Sequence, residues 1–235
     1  MTTLTGISPV TRILIAAVAI SCVSLIFCKL ADIRSGVIAS KFVASTAFLA
    51  VAILSGALQS RYGQVLLAGL VFSWFGDMFL LGTTRPFFLA GLVSFLFGHI
   101  AYVVAFSVHG LNVKWSMSAF VPVAALSVFV IVWLIPFLPE DMIVPVSTYT
   151  VVISLMVITA LGTKGAGGTL LIPAGATLFY FSDLSVAAGQ FIEPVFPNYV
   201  WGLPFYYAGQ VLLALSAPPW MRDPGHCVRR SQLPK

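Results

Sequence analysis

FSWFGDMFLLG (72–82) and LFYFSDLSVAAG (178–189) are apolar stretches that each enclose one aspartate, Asp77 and Asp183. With their flanks, both are long enough to cross a bilayer. A carboxylate in hydrocarbon costs on the order of 3 kcal/mol by insertion scales. The chain has seven acidic residues in all, so two of the seven stand where they are least tolerated. That placement makes them the first candidates for a functional site, and the stretches around them decide the fold.

Of the 235 residues, 60% are hydrophobic and 8% are charged, and the mean hydropathy is +1.04. Soluble domains carry about a quarter charged residues, so this composition specifies an integral membrane protein. The length and the short connections fit one compact bundle, without a separate soluble domain. The net charge of +5 is scattered along the chain and reads as a topology signal, not as a nucleic-acid surface. Cys22 and Cys28 lie in the first apolar run and Cys227 in the basic tail. They make no disulfide framework, and no CxxC or Cys/His cluster suggests a metal site.

A membrane-spanning helix needs about 20 apolar residues. Divided at Gly, Pro and charge clusters, the chain predicts an all-α, polytopic transmembrane helix bundle of about eight spans: 13–30, 37–58, 64–82, 86–108, 117–138, 143–161, 168–190 and 201–217. The separators LADIRSG, QSRYG, GTTRP, HGLNVKW, LPEDM, GTKGAGG and EPVFPN are short, so sequential helices should pack as antiparallel neighbours. Residues 1–220 read as a single transmembrane domain, and 221–235 as a polar, basic, disordered tail. The first run follows Thr11-Arg12 and resembles a signal peptide, with a weak lipobox-like Ala-Ile-Ser-Cys ending at Cys22. It continues unbroken to Leu30, which favours a retained anchor helix.

Eight spans return both termini to one side of the membrane. That side would hold Arg12, Arg61, Lys114, Lys164 and the basic residues of the tail. The other would hold Lys29, Arg34 and Arg85 with most of the acids, Asp32, Glu140, Asp141 and Glu193. The excess of positive charge predicts that both termini are cytoplasmic. The membrane would be a bacterial inner membrane, or the endoplasmic reticulum in a eukaryote.

Counted from the helix ends, Lys41, Asp77, Tyr149, Asp183 and Tyr206 all fall roughly 6–11 Å below the non-cytoplasmic face. One polar layer drawn from five helices predicts a cavity. His99 falls about 20 Å down its helix, either deep in that cavity or in a separate place. Each residue also has a structural reading. The aspartates could pair with Lys41 or sit at close helix contacts beside Gly76 and Ser182. Lys41 could snorkel to the interface. His99, with Tyr102 three residues on, could be an interhelical hydrogen-bonding residue, and Tyr149 and Tyr206 could be interfacial tyrosines. Gln210, four residues after Tyr206, lies deeper. The segments FSWFGD and LFYFSD form a faint internal echo 106 residues apart, and the match beyond the aspartates is poor.

GLVFSWFGDMFLL (69–81), GLVSFLFGHIAYVVAF (91–106) and AGATLFYFSDLSVAAGQF (174–191) resemble the signature segments of the YhhN-type lysoplasmalogenase family, as do Lys41, Tyr149 and YYAGQVLLAL (206–215). The resemblance runs from the second helix to the eighth. One departure is Phe42, where family members usually follow the lysine with proline. The resemblance implies a membrane hydrolase that cleaves the vinyl ether bond of lysoplasmalogens to a fatty aldehyde and glycerophosphoethanolamine or glycerophosphocholine. It implies no metal or organic cofactor, and as partners the lysophospholipid substrate and the lipid bilayer, with no nucleic acid or protein partner. The residues suit that chemistry. Vinyl ether cleavage needs an acid to protonate carbon and an anion to stabilise the resulting oxocarbenium ion, the division of labour that two carboxyls make in glycosidases. Asp77 and Asp183 are the expected catalytic pair, with the choice of acid open. Lys41, His99, Tyr102, Tyr149, Ser182, Tyr206 and Gln210 are the expected substrate-binding residues, with Lys41 or His99 on the phosphate. Two other functions fit intramembrane carboxyls. A proton-coupled transporter would use them as a relay. An intramembrane aspartyl protease would also have two, although the Pro-Ala-Leu segment of that class is absent and Pro173-Ala174-Gly175 is the nearest text.

Overall fold

The computed structural model describes residues 8–192 and 197–217. Among these residues the chain is all-helical, with eight α-helices: α1 (Pro9–Leu30), α2 (Arg34–Leu54), α3 (Arg61–Phe79), α4 (Arg85–His109), α5 (Val113–Leu134), α6 (Glu140–Gly165), α7 (Leu171–Phe191) and α8 (Tyr199–Leu215). Six of them, α1, α2, α4, α5 with the 3-10 turn that extends it, α6 and α7, are long and apolar enough to cross a membrane. α3 and α8 are not among the six. α8 has 17 residues, and α3 opens on Arg-Tyr-Gly-Gln and carries Asp77 near its end. The expected tail 221–235, Cys227 and Glu193 lie outside the described residues.

Helix boundaries follow local chemistry. Ser8 caps α1 by accepting from the Thr11 N–H, with Pro9 in the first turn. Ser60 caps α3 through Gly63, and Asn112 caps α5 through Lys114 and Trp115, as expected for side-chain oxygens at helix starts. α2 stops at Leu54, short of the expected 58, because Gly56 turns left-handed (φ 95°) and a 3-10 turn, Ala57–Gln59, follows. α6 instead runs through the expected separator to Gly165. Its glycines are close-approach positions: the Asn112 N–H donates to the Gly162 carbonyl at 3.0 Å, and an added Cβ on Gly165 would fall 2.5 Å from the Asn112 side chain.

The helices pack as four hairpins, α1/α2, α3/α4, α5/α6 and α7/α8. α4 packs on α6, α6 on α7, and α8 returns to α2 and α1, which closes the bundle. α5 meets the rest mainly through α6. The α7/α8 contact is closest where two glycines face each other: a Cβ on Gly175 or on Gly209 would lie 2.9 Å from the other's carbonyl oxygen. Small residues at such crossings let helix backbones approach in a membrane. Large residues cover the lipid face, among them Ile13, Phe27, Val121, Phe129 and Val144, all well exposed.

Gly209→Val should therefore separate α7 from α8 and destabilise the detergent-solubilised protein by about 1–3 kcal/mol, read as a lowered Tm. Gly189→Ala, whose new Cβ meets nothing nearer than 3.9 Å, should leave Tm unchanged.

Candidate functional site

α2, α3 and α8 converge on Asp77, which is 2% exposed. Lys41 Nζ lies 3.2 Å from its Oδ1. Ser45 Oγ donates to Oδ2 at 2.6 Å and the Tyr206 hydroxyl donates to the same oxygen at 2.7 Å. Lys41 and Ser45 are one helical turn apart, so both face α3. Three donors, one of them a cation, meet one carboxyl in the interior of the bundle, which is the arrangement that burying a charge requires.

α4, α6 and α7 converge on Asp183. The Tyr149 hydroxyl donates to Asp183 Oδ2, and His99 Nε2 lies 3.5 Å from that oxygen. No lysine or arginine pairs with Asp183 among the described residues. The two carboxyls thus differ in their surroundings: one is met by a lysine, the other by a phenol and an imidazole.

Both carboxyls line a single cavity of about 580 Å³, within the range of small-molecule sites. It sits toward the end of the bundle where α1, α3 and α7 finish and α2 and α8 begin. Lys41, Asp77, Tyr149, Ser182, Asp183 and Tyr206 line it. The rest of its lining is largely apolar and includes Leu92, Phe95, Val130, Leu134, Val146 and Ile153 from α4, α5 and α6. Aromatic rings pack behind the polar side: Phe179 lies 4.7 Å from His99 and 5.3 Å from Tyr206, centroid to centroid, and Phe95 lies 5.9 Å from Tyr206.

Three expected site residues lie behind the cavity wall. His99 is fully buried and reaches the site through Asp183. Tyr102 is also fully buried. Its hydroxyl donates to Gln210 Oε1 at 2.9 Å and lies 3.3 Å from Ser73 Oγ, while its ring fills the space over Gly69, 2.5 Å from where a Cβ would stand. Tyr102 and Gln210 thus tie α4 to α8 beneath the site. Lys41 does not snorkel; it is 7% exposed and committed to Asp77. The depth offset expected for His99 arises because counting from helix ends assumes that all helices start in one plane, whereas α4 has 25 residues and α8 has 17. Sequence reasoning missed Ser45 and Phe179. Ser45 carried a signal, its position four residues after Lys41. Phe179 carried none, since it is one of 19 phenylalanines.

The profile of the YhhN family matches residues 37–217. Lysoplasmalogenase TMEM86A of Bos taurus is 31% identical over 160 residues, 63% of each chain. Lysoplasmalogenase TMEM86A of Homo sapiens is 34% identical over 155 residues, again 63% of each chain. Lysoplasmalogenase TMEM86B of Homo sapiens is 30% identical over 184 residues, 76% of each chain. The chain thus spans 63% of the length of the two TMEM86A relatives. No solved structure matches the chain.

Lys41→Gln should strand the Asp77 carboxylate in the bundle and destabilise the protein by about 3 kcal/mol, read by denaturant unfolding in mixed micelles. Adding Asp77→Asn to the same chain should recover most of that loss. Equal stability of the Lys41→Gln protein and the wild type would show that the pair is not closed in the membrane protein.

Proposed function

The chain belongs to the YhhN family, and from that premise we propose that it is a multi-pass membrane hydrolase that cleaves the vinyl ether bond of lysoplasmalogens. The relatives at 30–34% identity carry the name lysoplasmalogenase. The observation that carries the reading is one cavity lined both by two differently partnered carboxyls and by a largely apolar set of side chains. The bundle acts as one domain, with both termini in the cytoplasm and the cavity mouth toward the opposite face.

The geometry supports a division of roles. Asp183, with no basic residue paired to it other than His99, is assigned as the acid. Tyr149 fixes one of its oxygens and so orients the other group toward the cavity. The Asp183 proton passes to the vinyl carbon β to the ether oxygen, the π pair forming the new C–H bond, and an oxocarbenium ion is left at the α carbon. Asp77, anionic and rigidly held by Ser45 and Tyr206, stabilises that cation electrostatically. Water adds at the α carbon and gives up its proton to the Asp183 carboxylate. The hemiacetal then collapses: its hydroxyl proton is lost, the bond to the glycerol oxygen breaks, and that oxygen takes a proton. The products are a fatty aldehyde and a glycerophospho head group. The alkenyl chain lies along Leu92, Phe95, Val130 and Leu134, which exclude bulk water from the cation. His99, behind Asp183, orients the carboxyl and does not touch the substrate. Tyr102, Gln210 and Ser182 position the helices that carry these groups.

Aldehyde release from lysoplasmenylethanolamine by the purified full-length protein tests this reading. Asp77→Asn and Asp183→Asn should each lower kcat by about 100-fold or more, the range for a general acid or an electrostatic stabiliser. Tyr149→Phe should lower it about 10-fold while leaving the fold intact, since it removes one hydrogen bond to the acid. Near-normal turnover in either Asn variant would sink the two-carboxyl mechanism.

A further inference from the structure

Two cations line the cavity without a part in the reaction proposed above. Lys29 stands in the last turn of α1 and Arg34 is the first residue of α2. Both are exposed, and both line the same cavity as Asp77 and Asp183. Arg34 Nη2 donates to the Leu81 carbonyl at 3.1 Å, just beyond the end of α3. Lys29 Nζ stands 4.9 Å over the centre of the Tyr199 ring, at the start of α8. Each side chain thus reaches from its own helix to a neighbouring element of the cavity lining.

Charge counting identifies what they await. Among the described residues the cavity is lined by three cations, Lys29, Arg34 and Lys41, and by two carboxyls, Asp77 and Asp183. Lys41 is committed to Asp77 at 3.2 Å. Neither Lys29 nor Arg34 has a carboxylate within ion-pair distance among the described residues. With the Asp183 proton in place for catalysis, the lining carries two uncompensated positive charges, and both are at the mouth. Arg34 also adds its charge to the positive N-terminal end of α2, where a cation is disfavoured and an anion would be welcome. Its contact with Leu81 uses one guanidinium N–H and leaves four donors.

We infer that Lys29 and Arg34 form the subsite for the anionic phosphate of a lysophospholipid head group. The inference rests on the reading that a lipid occupies the cavity, and it assigns the phosphate to this pair instead of to Lys41 or His99, which are held by the aspartates. Guanidinium and ammonium together supply charge-assisted hydrogen bonds to phosphate oxygens. Glycerol carries the vinyl ether and the phosphate at opposite ends. A phosphate held at the mouth therefore directs the ether inward, toward Asp183 and Asp77. Both residues precede residue 37, where the family match begins, so this subsite belongs to the chain's own first hairpin turn.

The test is a binding titration of the purified full-length protein with two uncleavable lipids. One is a saturated 1-alkyl glycerophosphoethanolamine, which has no double bond to protonate. The other is the 1-alkyl glycerol with the same chain and no phosphate. The wild type should bind the phosphate lipid more tightly. The Lys29→Gln/Arg34→Gln double variant should lose roughly tenfold in affinity for the phosphate lipid and none for the alkyl glycerol, while Lys29→Arg retains wild-type affinity for both. Equal affinities of the wild type for the two lipids, unchanged binding of the phosphate lipid to the double variant, or equal losses for both lipids would each overturn the assignment. Displacement of the lipid by inorganic phosphate at the lipid's own concentration would also overturn it, because the pair would then hold a free phosphate. Neither ligand reacts, so this result is independent of whether the wild type releases aldehyde.

Discussion

A charge inside a helix bundle must be met by donors and a countercharge, and the Lys41–Asp77 pair is where this protein meets that demand. Ser45 and Tyr206 complete the carboxylate's partners, so one side chain on α3 is held from α2 on one side and α8 on the other. Among the described residues no ion pair ties α5 to the rest, and α5 packs mainly on α6. The ion pair therefore locates the cavity as well as one of its two carboxyls. It brings together three helices that are distant in sequence, and the space left beside them becomes the site.

The second carboxyl has a different environment for a geometric reason. Asp183 stands on α7, which packs on α6 and α8, whereas Lys41 stands on α2, which packs on α1, α3 and α8; the rings of Phe95, Phe179 and Tyr206 meet edge to face. Lys41 consequently serves one aspartate only. Aromatic rings placed edge to face fill space firmly, so the two carboxyls keep their separate partners. The two identical side chains therefore stand in different surroundings within one cavity.

Much of this was legible in the sequence. Hydropathy runs broken at Gly, Pro and charge located all eight helices, because apolar length is a property of the chain itself. Lys41, Asp77, Tyr149, Asp183 and Tyr206 could be grouped by depth, because polar residues in apolar runs are few and helical rise is constant. The pairing was not legible. Nothing in the spacing says that Lys41 turns to Asp77 and not to Asp183, since that depends on which helices are neighbours in space. His99 was harder still, because its depth relative to α7 depends on where each helix begins. The glycines of 162–168 read as a break, and Gly167 and Gly168 do make it, but Gly162 and Gly165 are helical and form a close contact with the start of α5, since chain breakers and packing glycines are the same residue seen without a neighbour. Lys29 and Arg34 read as topology signals, and only the cavity reveals that they also face inward.

α3 and α8, the two helices outside the set long and apolar enough to cross a membrane on their own, carry Asp77 on one and Tyr206 and Gln210 on the other. This has a consequence for biogenesis. A helix that is short, as α8 is with 17 residues, or that carries a carboxylate, as α3 does with Asp77, gains less from entering lipid alone and inserts with the help of helices already there. α3 has its hairpin partner α4, and α8, the last of the described helices, has α7, α2 and α1 made before it. The polar site then closes only when α8 arrives, and the carboxylate of Asp77 gains its tyrosine at that step. Until then the nascent protein is a set of membrane anchors without a finished pocket, and quality control that senses exposed intramembrane charge has a late, well-defined window in which to act.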